Sequence, residues 1–224
     1  MKLPPTSANP TIVLLHGLGR TKHSMNGIRR FLEQSGFATW SRTYPSRKLG
    51  VAKLAKTVGQ WIVDDLGEQP VIGVTHSLGG ILARHIGDTV NWQGLVMLGP
   101  PNRGSRVAAA LKPFPLYRWF FGPAGQDVAN PDQWPSPPPT PLGIIAGTRG
   151  ASLINLPSWL IRSFKLLPID QSHDGTVTTW ETKLAEMSDY AEVPASHTWL
   201  MNHPQTRELV LQFLRNRSFT RKIP

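Results

Sequence analysis

The chain of 224 residues contains no cysteine, and its 14 acidic residues are outnumbered by 24 Lys and Arg. Without thiols there is no disulfide framework, no thiolate metal site and no dithiol redox centre. That absence suits the cytoplasm, the location expected here, without excluding export. The apolar runs are far shorter than the roughly 20 residues that span a bilayer, so no transmembrane helix is expected. After Lys2 come Pro4, Pro5 and Pro10, and the first apolar run leads straight into His16-Gly17. It reads as a first core strand and not as a signal peptide.

The shortage of acid leaves a formal charge of +10. Basic residues gather between Arg42 and Lys56 and in the tail at Arg215, Arg217, Arg221 and Lys222. No recognition motif or interleaved basic-aromatic module accompanies them, so nucleic acid is not expected as a partner. An anionic membrane surface or an anionic substrate suits the charge better; a solvated basic face without a partner is the alternative. With 40% hydrophobic and 17% charged residues, the composition is that of a folded globular chain, and its length suits one domain over residues 1–224.

What the chain does have is an alternation of strand-like and helix-like patterns, which argues for a mostly parallel sheet covered on both faces. Thr11–Leu15, Phe37–Thr43, Val71–Thr75, Gly94–Leu98, Leu142–Ala146 and Tyr190–Val193 read as strands, about six in all. Ser24–Gln34, Leu49–Leu66 and Thr206–Arg217 read as helices with one apolar face.

The run Val71–Val74 stops at Thr75-His76-Ser77-Leu78-Gly79-Gly80, after which a helical apolar pattern resumes at Ile81. A strand, a sharp turn at a serine between small residues and then a helix is the context of a nucleophile elbow. Such a turn lifts the serine hydroxyl above the sheet edge and sets the next amide at a helix N-terminus, where negative charge is favoured. The competing reading is that Ser77 only caps the helix. Two glycines in a row are more than a cap requires.

An acyl-transfer site also needs a second oxyanion donor and a base oriented by a carboxylate. His16-Gly17-Leu18-Gly19 follows the first strand and can turn the Leu18 amide toward Ser77 beside that of Leu78; His16 itself is expected to be satisfied locally by backbone. Downstream of Ser77 the candidate bases are His173, His197 and His203. His197 leaves a short strand, whereas His203 precedes Pro204 at the last helix. Asp174 opens the tight turn Asp174-Gly175-Thr176-Val177, with Asp170 as its rival in the same loop.

Taken together, these segments and Gly99-Pro100-Pro101-Asn102-Arg103-Gly104-Ser105 resemble the α/β-hydrolase superfamily. Within it the likeness is to small bacterial lipases and esterases, including lipase-like hydrolases that carry a G-x-P-N-x-G-S segment. The resemblance extends from about Thr11 to Leu214, with Pro100 standing where members often have Thr. It implies an α/β-hydrolase fold with Ser77, Asp174 and His197 as a triad and the amides of Leu18 and Leu78 as the oxyanion hole. The expected activity is hydrolysis of carboxylic esters, of small molecules or lipids, through an acyl-enzyme, with no metal and no organic cofactor. An acyltransferase with the same triad, or a non-catalytic lipid- or membrane-binding protein on the same scaffold, are the alternatives.

One segment breaks the regular pattern. Pro113–Pro141 holds nine of the 21 prolines, and its front half carries Phe114, Leu116, Tyr117, Trp119, Phe120 and Phe121. Prolines at this density argue against a helix or central strand. It falls where hydrolases of this class commonly carry a cap, so a cap-like insertion is expected over about 105–141. Leu116, Trp119 and Phe120 are then candidates to line an acyl pocket; the alternative is that the rings simply pack the segment onto the body. Trp159, in the second irregular stretch Arg149–Gln171, would stand on the opposite wall.

Overall fold

Six short segments pair side by side into one sheet. β1 (Thr11–Leu15), β2 (Thr39–Trp40), β3 (Val71–His76), β4 (Trp92–Leu98), β5 (Leu142–Gly147) and β6 (Asp189–Val193) are all parallel, in the order β2-β1-β3-β4-β5-β6. The structure, a computed structural model, describes residues 9–131, 134–150 and 171–220. The parallel sheet expected from the sequence is present. The expected second strand is cut to two residues, because beyond Trp40 the chain leaves the ladder. There the Ser41 hydroxyl donates to the Leu14 carbonyl, and Tyr44 turns in under the loop after β1.

The two-residue period of each strand sends alternate side chains to two cores. Val13 and Leu15 of β1, with Leu95 and Met97 of β4, face α2 (Val51–Leu66) and α3 (Leu78–Ile86). Ile12 and Leu14, with Val96 and Leu98, face α1 (Asn26–Gln34) and the last helix, Pro204–Asn216. Leu54, Val58 and Ile62 of α2 recur at four-residue spacing and are buried, each contributing about 1.5–3 kcal/mol by leaving water.

The proline-rich segment between β4 and β5 corrects one expectation. After α4 (Arg106–Leu111), the segment Pro113–Pro141 contains a helix, α5 (Pro115–Asp127). Pro115 is tolerated because it occupies the first helical turn, where its missing N–H has no partner to lose. Pro123 is tolerated because Gly122, at φ 63°, breaks the helix just before it, so no preceding turn meets the proline ring. The run Pro137-Pro138-Pro139 is neither helix nor strand.

In a sheet whose strands all run one way, the loops that leave them share one edge. β2 lies on one side of β1 and β3 on the other, so the chain reverses its direction of travel at the C-terminal ends of β1 and β3. Such a switch point opens a crevice between the two departing loops, here Gly17–Gly19 and Ser77.

Candidate active site

Ser77 stands in that crevice with φ 51° and ψ −118°, a left-handed backbone that a non-glycine residue rarely adopts. Its amide donates to the Leu98 carbonyl of β4 (2.9 Å), and its own carbonyl accepts from Gly80 (2.9 Å). The hydroxyl makes no helix-capping bond, which removes the capping alternative. The neighbours explain why the turn holds. A Cβ at Gly79 would lie 2.5 Å from the Leu15 carbonyl oxygen, so α3 can approach β1 this closely only with glycine there. At Gly80 a Cβ would stand 3.2 Å from Pro100 and 3.3 Å from the Met97 sulfur. Thr75 is fully buried, and its hydroxyl reaches the Val96 carbonyl at 3.4 Å, so the branched side chain is accommodated on the strand.

The loop after β1 lies directly over this turn. A side chain at Gly17 would meet His76 Nδ1 at 2.8 Å and Ser77 Cβ at 3.3 Å. Underneath, His16 is held as expected. Its Nδ1–H donates to the Gly17 carbonyl (2.9 Å), its Nε2 accepts from the Tyr44 amide (3.2 Å), and its ring stacks on Tyr44 at 3.7 Å. The Tyr44 hydroxyl donates to the His16 carbonyl. Burial, aided by the nearby Arg20 charge, pushes the His16 imidazole down to about 4, so it stays neutral at ordinary pH. Gly19 donates to the Ser46 hydroxyl at 3.0 Å, which fixes the far end of the loop. Leu18 lies between Gly17, which packs on the Ser77 turn, and the anchored Gly19, while the Leu78 amide opens α3, where first-turn N–H groups lack helical partners.

Asp174 and His197 meet across the same edge. His197 Nδ1 lies 2.6 Å from Asp174 Oδ2, and the carboxylate is almost entirely shielded from water. Its other oxygen accepts from the Thr176 and Val177 amides at 2.9 and 2.8 Å, and the His197 amide donates to the Asp174 carbonyl (2.9 Å). Because the carboxylate can only accept, the neutral imidazole carries its proton on Nδ1 and leaves Nε2 free as a base. His173 instead uses Nδ1 to accept from the Gly175 amide (3.1 Å), bracing the turn. His203 precedes the last helix, and its amide donates to the Leu200 carbonyl (3.2 Å). Asp170 lies outside the described residues.

Three residues of the site escape motif reading. His76 Nε2 donates to the His197 carbonyl (2.9 Å), and the two rings lie 4.8 Å apart, so one buried imidazole links the elbow to the His197 loop. Burial and the neighbouring His197 and Arg20 hold His76 well below the usual histidine range. At Gly99, φ 56°, a Cβ would stand 3.1 Å from Asp174 Oδ2 and 3.2 Å from His197 Nδ1. At Gly147 it would meet the Ala195 carbonyl at 2.5 Å. The signal was present: β4 and β5 each run out into glycine at the edge where the site forms.

Beyond Gly99, which lies against the Asp174–His197 pair, the G-x-P-N-x-G-S segment braces the loop after β4. Asn102 donates to the Thr182 carbonyl (2.8 Å), the Arg103 amide to the Glu181 carbonyl (3.0 Å) and the Arg106 amide to the buried Glu181 carboxylate (2.7 Å). The short helix α6 (Thr179–Thr182) is capped reciprocally by Thr178 and that same Glu181.

A parallel sheet with a strained serine after its central strand and a carboxylate-bound histidine beyond it agrees with one family over nearly the whole chain. The model of the alpha/beta hydrolase family matches residues 12–216. The chain belongs to the alpha/beta hydrolase family.

Among solved structures, this hydrolase is similar to the mature lipase BlEst2 of Bacillus licheniformis, at 20% identity and a TM-score of 0.66, covering 94% of either chain. It is also similar to the metagenomic carboxyl esterase MGS0156, at 17% identity and TM-score 0.66, covering 96% of this chain and 78% of that one. The RedJ thioesterase of Streptomyces coelicolor superposes at 13% identity and TM-score 0.58, with 95% and 87% covered. No curated protein matches the chain in sequence. At these identities the superpositions establish a shared fold; with the family they support hydrolase activity in general.

The four pocket candidates fare differently. Leu116 and Trp119 are each 74% exposed and Phe120 45%, on the outer face of α5. Helical spacing gives the inner face to Tyr117, Phe121 and Ala124 and leaves these three on the face open to water. There the Tyr117 and Phe121 rings pack at 4.7 Å, and the Tyr117 hydroxyl donates to the Gly125 carbonyl (3.1 Å). Trp159 lies outside the described residues. Among the described residues no helix is long and apolar enough to cross a membrane, and no cluster of metal-ligating side chains forms.

Proposed function

We propose that this hydrolase cleaves carboxylic esters, with Ser77 as nucleophile, His197 as general base and Asp174 as the carboxylate that orients it. The observation that carries this reading is the 2.6 Å bond from Asp174 to His197 Nδ1, at the sheet edge where Ser77 holds a left-handed backbone. In the first half-reaction Ser77 Oγ attacks the acyl carbonyl while His197 Nε2 takes its proton. The amides of Leu18 and Leu78 stabilise the oxyanion, and the tetrahedral intermediate expels the alcohol, which leaves with the proton from His197. Water then attacks the acyl-enzyme by the same route, releasing the acid and restoring Ser77. Asp174 holds the imidazole tautomer and stabilises the imidazolium without itself becoming protonated.

Ester and thioester alike present an acyl carbonyl to such a serine, and the neighbours named above include a lipase, a carboxyl esterase and a thioesterase. The test is therefore a panel of p-nitrophenyl esters from acetate to palmitate, with an acyl thioester alongside, and labelling by a fluorophosphonate probe. The expected result is turnover of esters, with a probe adduct on Ser77 that is lost in Ser77→Ala. Labelling at another residue, or ester turnover that survives Ser77→Ala, overturns the assignment.

A further inference from the structure

The outer face of α5 is unusual for a body of this size. Phe114 is 51% exposed, and Leu116, Trp119 and Phe120, spaced i, i+3 and i+4, form an apolar stripe open to water. Scattered surface hydrophobes need no explanation, whereas a contiguous aromatic-aliphatic stripe does. It is rimmed by cations. Arg118 is exposed within the stripe, and Arg47 holds its guanidinium 4.6 Å from the centre of the Phe120 ring, with Lys48 beside it. None of these three forms an ion pair among the described residues, and no Asp or Glu occurs from Lys112 to Gln126 or from Arg42 to Lys56.

This surface adjoins the site. At Gly122 a Cβ would stand 1.8 Å from the Arg47 carbonyl oxygen, so α5 and the Arg47 loop are in direct contact. The same loop supplies Ser46 to Gly19, and Gly125 faces the Leu18 side chain. We infer that the outer face of α5, with Arg47, Lys48 and Arg118, is a docking surface for an anionic lipid bilayer and holds the Leu18–Ser77 crevice next to the interface. The chemistry favours a bilayer over a protein partner. Trp and Phe seat at the boundary between headgroups and acyl chains, and a convex stripe with a basic rim meets a flat anionic surface without needing a complementary groove.

The test is co-sedimentation with vesicles of phosphatidylcholine alone or of equal phosphatidylcholine and phosphatidylglycerol, read without any ester turnover, so its outcome is independent of the esterase reading. The bound fraction should favour the anionic vesicles by at least about tenfold at low ionic strength and fall toward the neutral value at about 0.5 M salt. Lipid brominated along its acyl chains should quench the wild-type fluorescence. That quenching should be lost in Trp119→Phe and kept in Trp180→Phe and Trp199→Phe. Arg118→Gln should weaken anionic binding several-fold while hydrolysing soluble p-nitrophenyl butyrate at the wild-type rate. Leu116→Ser, checked for a native circular dichroism spectrum, should weaken binding to both vesicles. Equal binding to the two vesicles at low salt, or quenching that survives Trp119→Phe, overturns the inference. So does self-association, or capture of an acidic protein, that buries Trp119 while vesicles are ignored.

Discussion

The Ser77 turn and the outer face of α5 lie close together and obey opposite rules. Around Ser77 the backbone is closely packed: Gly79 rests on the Leu15 carbonyl, Gly17 on His76, His16 on Tyr44 and the Ser77 amide on Leu98. On α5 the inner residues Tyr117 and Ala124 are packed, while Leu116 and Trp119 touch mostly water. Strain can persist at Ser77 because the surrounding contacts over-determine it. The α5 stripe carries no such constraint, and its cost is exposure of apolar surface. One region is built to hold a geometry; the other is built to present a surface.

The strongest way to break this contrast is chemical. Ser77→Ala is expected to lower kcat by about five to six orders of magnitude and leave the fold intact, since the half-exposed hydroxyl supports no helix cap. His197→Ala added to it should change little further, because such groups act as a unit. Steady-state kinetics beside circular dichroism decide this. Asp174→Asn should cost about four orders of magnitude, because an amide can offer His197 Nδ1 a donor and so select the wrong tautomer. A rate within tenfold of wild type would remove Asp174 from its orienting role.

The packed region should also respond to acid. Burial lowers the folded-state pKa of His16 to about 4, so between pH 6.5 and 4 the unfolded chain binds a proton that the folded chain does not. Stability should therefore be full above pH 6.5 and fall as pH drops toward 4, by on the order of 3 kcal/mol from this residue. His76 is shifted in the same direction. Urea unfolding across that range should show a shallower pH slope in His16→Gln; an unchanged slope would place the acid sensitivity elsewhere.

Two glycines sharpen the comparison further. Gly79→Ala drives a methyl into the Leu15 carbonyl and should cost roughly 1–3 kcal/mol together with much of the activity. Gly122→Ala meets the Arg47 carbonyl at positive φ, so α5 should loosen from the Arg47 loop. Hydrogen exchange should then quicken over Pro115–Asp127 and stay slow across β3. The smallest effect belongs to the exposed stripe: Leu116→Ser should alter unfolding free energy by less than about 0.5 kcal/mol.

Much of this was legible in the residues. The six strand-like runs become six parallel strands, since β-branched stretches between helical patterns leave few other arrangements. Thr75-His76-Ser77-Leu78-Gly79-Gly80 announced a sharp turn because only small residues survive the contacts it requires. Asp174 and His197 were separable from Asp170 and His203 only by their place after late strands. Their 23-residue separation says nothing of the 2.6 Å contact that the sheet creates. The helix within the proline-rich segment is not legible from proline count, because position decides what proline costs. At a first turn, or after a glycine break, it costs a helix nothing.

By itself the sequence determined the order of the strands along the chain, the turn at Ser77 and the surplus of positive charge. Each of these follows from local sterics, side-chain periodicity or a sum over residues. Which carboxylate meets which histidine, that His76 ties the elbow to His197, and that Leu116, Trp119 and Phe120 face outward were decided only by tertiary structure. Those outcomes depend on the distance between segments remote in the chain, and a helix face is inner or outer only once a partner surface is in place.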